Sequence, residues 1–148
     1  MNSKKIAILF FVLFASANIS LAQSGTLTLC SGTDDNVYAL NSYTTASTST
    51  PVYFQLQFEQ PLFGDAPQTQ TFIQWEVFKI LANGDEKPLD EFVMTTNTAF
   101  RRYATDQPYY FKEPGKYAVY AISYYKRDTM VHDGYKEYYA KTFIDITK

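Results

Sequence analysis

One cysteine and one histidine stand among 148 residues. A single cysteine excludes an internal disulfide framework and any cysteine-based zinc site. A single histidine excludes multi-histidine metal centres. Long hydrophobic runs are also scarce. The longest, Ile6 to Ala22, is interrupted by Ser16, Asn18 and Ser20 and falls short of the roughly 20 apolar residues a membrane-spanning helix needs. Positive charge is not in excess: 13 Lys and Arg face 15 Asp and Glu, for a net charge of −2. That balance argues against sequence-independent nucleic-acid binding, which needs clustered Lys and Arg for phosphate. Sustained helical periodicity, internal repeats and long linkers are absent as well.

The N-terminus has the pattern of a secretory signal peptide. Lys4-Lys5 precede the apolar run, and Ser20-Leu21-Ala22 puts small residues where a signal peptidase reads them. Residues 1–22 are therefore expected to be a leader, cleaved before Gln23. Residues 23–148 have the size of one domain. Loss of Lys4 and Lys5 takes the net charge from −2 to −4. The expected location is the periplasm or the exterior, with no membrane span in the mature chain. Cys30 follows Leu29 instead of the small residue a lipoprotein site uses, and reads as a small buried strand residue.

What fills the chain is strand pattern. Val52, Phe54, Leu56 and Phe58 alternate with Tyr53, Gln55, Gln57 and Glu59. Residues 71–80 repeat the pattern, with Ile73, Trp75 and Val77 on one face. Asn83-Gly84 reads as a tight turn, since both residues tolerate positive φ. Residues 87–94 run back, and 98–104 form a short strand around Arg101 and Arg102. Glu113-Pro114-Gly115 is a turn signal before a long aromatic strand, 116–126. A polar loop, 128–134, leads to a last strand over 135–147. There Tyr135, Tyr139 and Phe143 fall on one face, and Tyr138, Ile144 and Ile146 on the other. Segments 26–30 and 37–41 are further strands, while 42–51 and 60–69 read as loops. Seven or eight short strands in a chain of this size predict an antiparallel two-sheet sandwich.

The run Glu113-Pro-Gly-Lys-Tyr117-Ala-Val119 resembles the turn entering strand F of immunoglobulin-like domains. Tyr117 matches the tyrosine whose hydroxyl bonds back to the backbone near that turn. Val119 stands where antibody domains place their second cysteine, and Trp75 matches the core tryptophan of strand C. Val52 to Phe58 corresponds to strand B, without its cysteine. Tyr110 to Ile146 is also similar to the C-terminal half of PKD-like repeats of bacterial surface proteins. The Trp-Asp-Phe-Gly-Asp-Gly signature of those repeats is absent, Trp75 being followed by Glu76-Val77. The resemblance implies an immunoglobulin-like β-sandwich and a role in binding or assembly, with Gly115, Tyr117, Val119 and Trp75 as structural residues.

Catalytic candidates are sparse. His132 sits in the 128–134 loop near Asp128 and Asp133, with no nucleophile in a known motif. Glu76, with Glu59 and Glu137, offers carboxylates for glycoside hydrolysis, but strand alternation alone predicts those polar positions. Asp34-Asp35-Asn36 and Asn83-Gly84-Asp85-Glu86 carry oxygen ligands without a spaced calcium loop, and such runs also cap turns. No cofactor or metal is expected.

The least ordinary feature is the aromatic load of 13 Tyr, 12 Phe and one Trp. Tyr109-Tyr110-Phe111, Tyr124-Tyr125 and Tyr138-Tyr139 put rings on both faces of their strands. A sandwich has one inward face per sheet, so some rings are expected outside, where tyrosine is enriched in binding surfaces. The expected function is a secreted, non-catalytic module that binds a protein partner in a bacterial envelope or extracellular assembly. A carbohydrate-binding domain using exposed tyrosines is the alternative. Tyr120, Tyr124 and Tyr138 are the expected anchors, with Arg101 and Arg102 as polar additions.

Overall fold

The computed structural model describes residues 25–59, 70–96, 100–126 and 137–148. Among them are nine strands and no helix: β1 (Gly25–Thr33), β2 (Ala39–Ser42), β3 (Thr45–Ser47), β4 (Tyr53–Phe58), β5 (Gln70–Ile80), β6 (Glu86–Thr96), β7 (Arg102–Ala104), β8 (Gly115–Lys126) and β9 (Glu137–Thr147). They form a four-stranded sheet, ordered β2-β1-β4-β7, and a five-stranded sheet, ordered β3-β9-β8-β5-β6. Every pairing is antiparallel except β3 with β9.

The alternating segments supply both inner faces. Leu27, Leu29, Phe54 and Leu56 from the smaller sheet meet Ile73, Trp75, Val77, Val119 and Ile144 from the larger one. Phe54 and Trp75 touch across the gap with ring centroids 5.9 Å apart. Tilted rings at such spacing suit the aromatic quadrupoles. Aromatics continue toward one end of the sandwich, where Tyr109 meets Phe111 at 4.9 Å and Phe111 meets Tyr117 at 4.7 Å. The described residues thus form an all-β sandwich of two packed sheets.

The observed strands depart from the expected ones in three places. Segment 42–51 contains β3, which adds in parallel to β9 with Ala46 opposite Ile146. Three residues are too few to show alternation, so only a partner reveals the strand. Of the expected strand over 98–104, residues 98 and 99 lie outside the described residues, and the described part forms β7, an edge strand of three residues. In β9 the register shifts opposite Ala121 and Ile122, so that Ala140 and Tyr138 face them and Tyr139 is skipped. Such a bulge reverses the alternation along the bulged strand, and hydrophobic period alone does not reveal it. The leader, the 60–69 loop, and the 128–134 loop with His132 lie outside the described residues.

Candidate functional site

Trp75, in the centre of β5, is fully buried, and so is Val119 in β8. The indole Nε1 has no hydrogen-bond partner among the described residues. Tyr117 is buried as well, and its hydroxyl donates to the Glu113 carbonyl at 2.7 Å. Gly115 between them has φ 149°, a region that favours glycine, and an added Cβ would press on Lys79 Cε at 3.3 Å. These residues anchor the turn into β8 and fix where the strand's outward side chains emerge.

On the outward face of the five-stranded sheet the central member is Tyr120. It lies opposite Glu76 on one side and Lys141 on the other. Its hydroxyl donates to Glu86 Oε2 at 2.6 Å, and Lys141 Nζ donates to Glu86 Oε1 at 2.5 Å. The Tyr120 ring meets Phe78 edge-on at 5.2 Å, and Lys141 covers it at 4.6 Å. The same ammonium lies 4.8 Å from the Phe143 ring. Lys141 and then Tyr120 hold the Glu86 carboxyl below its ordinary value, and Glu86 foremost raises Lys141. Burial, then the Glu86 carboxylate, raises the Tyr120 phenol. Phe143 and Val93, each 48% exposed, stand on this face as large apolar groups in water. Cations over ring faces and a tyrosine tied at its hydroxyl give a belt that is ordered before anything binds.

Next to the belt, Glu76 on β5 lies directly opposite Glu91 on β6. Like charges placed so oppose strand pairing. The Gln74 amide relieves them by donating to Glu76 Oε1 at 2.7 Å and Glu91 Oε2 at 3.3 Å. Gln74 and Glu76 are both buried, although they alternate away from the core. Glu76 is therefore not the solvated face residue that alternation suggests. Its neighbouring carboxylate is Glu91, whereas Glu59 follows β4 in the other sheet.

The expected anchors are not all brought together. Tyr120 belongs to the outward belt. Tyr124 pairs in register with Phe72 and Tyr138 with Ile122, while the side chains of both tyrosines lie outside the described residues. Arg101 and Arg102 are on the other sheet, at its β7 edge. Arg101 is exposed, whereas Arg102 is occupied inside the molecule. It donates to the Asn36 carbonyl at 3.0 Å and to the Tyr38 hydroxyl, and its guanidinium lies 3.6 Å from the centre of the Tyr38 ring. Through those contacts the Arg102 side chain holds the β1–β2 connection. Phe78, Glu86, Lys141 and Phe143 are the site residues that sequence pattern missed, because only the sheet register brings them to Tyr120.

The other candidates have local roles. Asp34 Oδ1 accepts the backbone amides of Asn36 and Tyr38, each at 2.9 Å. Asn83 Oδ1 accepts the Asp85 amide at 3.1 Å, with Gly84 at φ 88°. Both runs therefore use their oxygens to shape turns. Cys30 is fully buried, and burial pushes its thiol up. No group of three or more metal-ligating side chains occurs among the described residues.

No family model matches the chain, and neither does any curated protein. Among solved structures, an immunoglobulin-like protein from Pseudomonas aeruginosa is similar at 11% sequence identity. The match has a TM-score of 0.40 and covers 82% of this chain and 91% of that one.

Proposed function

We propose that this protein is a secreted, non-catalytic, immunoglobulin-like module that binds a protein partner through the outer face of its five-stranded sheet. The immunoglobulin-like reading draws on topology. β1, β4 and β7 take the places of strands A, B and E, and β6, β5, β8 and β9 those of C′, C, F and G. The Tyr117–Glu113 bond at the entry to β8 agrees with it. Secretion rests on the leader pattern of residues 1–22.

The observation that carries the binding reading is the preordered belt of Phe78, Tyr120 and Lys141, beside exposed Phe143 and Val93. Interfaces favour aromatic anchors held rigid before association. The belt also weighs protein against glycan. A sugar stacks best on an open ring face, and Lys141 covers that of Tyr120.

The test is capture from the cell envelope and medium with the tagged protein and with Phe143→Ser. A stoichiometric protein recovered by the wild type and lost by the variant supports the reading. A partner retained equally by both places binding on another surface, and retention on polysaccharide gels without a protein partner favours the glycan alternative.

A further inference from the structure

At the sandwich end beside the β5–β6 hairpin lies a cleft of about 390 Å³, remote in composition from the belt around Tyr120. Its walls include Leu81, Leu89, Tyr109 and Phe111. Lys79, Lys87 and Lys112 border it, with Asp90 and Glu113. The sheet register sets Lys79 directly opposite Lys87, and two like charges so placed oppose strand pairing. Glu113 pairs with one of them, accepting from Lys79 Nζ at 2.5 Å, and Lys87 acts on its carboxyl only from a greater distance. Asp90 is already engaged. Its Oδ1 accepts the Glu91 amide at 2.9 Å, and its charge helps raise the neighbouring Tyr109 phenol. Lys87 and Lys112 are exposed and form no ion pair among the described residues. Three ammonium groups therefore face two carboxylates, in a chain whose net charge is −2.

A small concavity with apolar walls and a few charged groups at its border has the make-up of a small-ligand site. We propose that this cleft binds an organic monoanion, a carboxylate carried on an apolar or aromatic body. Lys87 and Lys112 hold the carboxylate, and the Leu89–Tyr109–Phe111 wall takes the body. The single uncompensated positive charge sets the preference for one negative charge over a doubly charged phosphate. This site goes beyond the protein-binding face proposed above and does not depend on it.

Titration calorimetry of the purified protein tests it with 3-phenylpropionate, its neutral amide, and acetyl-Ala-Phe as free acid and as amide. The acids are expected to bind saturably with Kd below about 10 mM, and the amides about tenfold more weakly, the worth of one charge-assisted hydrogen bond. Lys87→Gln and Lys112→Gln each weaken acid binding about tenfold on the same ground. Both side chains are exposed, so the thermal midpoint of each variant serves as the folding control. Tighter binding of the peptide acid identifies a chain end as the ligand, and tighter binding of 3-phenylpropionate a free acid. Equal binding of acid and amide, absence of saturable binding, or unchanged affinity in both lysine variants overturns the proposal. Stronger binding of inorganic phosphate overturns the choice of a monoanion. Phe143→Ser leaves acid binding intact, which separates a failure here from a failure of the sheet face.

Discussion

The Tyr117 hydroxyl closes the turn into β8 by donating to the carbonyl of Glu113, four residues earlier, at 2.7 Å. The ring fills the sandwich end against Phe111. Tyr117→Phe keeps the ring and removes the donor. A hydrogen bond of this kind contributes about 1 kcal/mol net, with more lost where a buried acceptor is stranded. Urea unfolding is expected to show a loss of about 1–2 kcal/mol with an unchanged m-value.

Trp75 separates volume from hydrogen bonding. Its indole is buried against Phe54, yet Nε1 has no partner among the described residues. Trp75→Phe removes an unsatisfied donor while keeping most of the packing, and is expected to destabilise by less than about 1.5 kcal/mol. Trp75→Ala leaves a cavity and is expected to cost about 3–5 kcal/mol. Denaturant midpoints of the two variants distinguish these outcomes.

The β1–β2 connection holds Val37 at φ 62°, unusual for a β-branched residue. Three contacts keep it there. The Val37 amide donates to the Asp34 carbonyl at 2.9 Å, Gln55 Nε2 donates to the Val37 carbonyl at 3.1 Å, and Arg102 holds Asn36 and Tyr38. Strain of this kind costs of order 1–3 kcal/mol, against about 0.5–1 for the added freedom of glycine. Val37→Gly is expected to raise stability by about 1 kcal/mol, measured by thermal unfolding. Arg102→Lys loses the planar, stacked fork and is expected to speed hydrogen exchange at the Val37 and Tyr38 amides, leaving β8 unaffected.

Two titrations give opposite pH limits. Glu86 has a folded pKa below its ordinary 4.5, so its contribution is present above that value and is lost as pH falls through the lower folded value. The stability gap between wild type and Glu86→Gln is expected to close on acidification. Burial, then the Asp90 carboxylate, pushes Tyr109 up from 10 to about 12. That contribution is complete below pH 10 and is lost as pH rises toward about 12. Denaturation followed across pH 9–12, with Tyr109→Phe as the comparison, is expected to show the steeper alkaline loss in the wild type.

Much of the sandwich is legible in sequence because the apolar members of Val52–Phe58 and of the Ile73-Trp75-Val77 face are all buried, even though Gln55 within the first segment is buried as well. The Asn83-Gly84 turn is equally plain, since φ 88° at Gly84 favours glycine there. β3 is not, because a three-residue parallel pairing leaves no periodic trace. The bulge in β9 breaks the linear pattern, as the skipped residue reverses the register beyond it. Tyr120 is visible as an outward ring. Its ties to Glu86 and Phe78 depend on register between strands and have no linear signature. The Lys79–Lys87 juxtaposition is hidden for the same reason.

The outer face of the five-stranded sheet is the surface proposed to bind a protein. The most direct measurement is the affinity of the captured partner for wild type, Phe143→Ser and Val93→Ser, by surface plasmon resonance. Both side chains are half-exposed, so the substitutions are expected to leave the unfolding midpoint within the range of ordinary surface changes. At least one of them is expected to weaken binding by tenfold or more, about 1.4 kcal/mol. Wild-type affinity in both variants would contradict it.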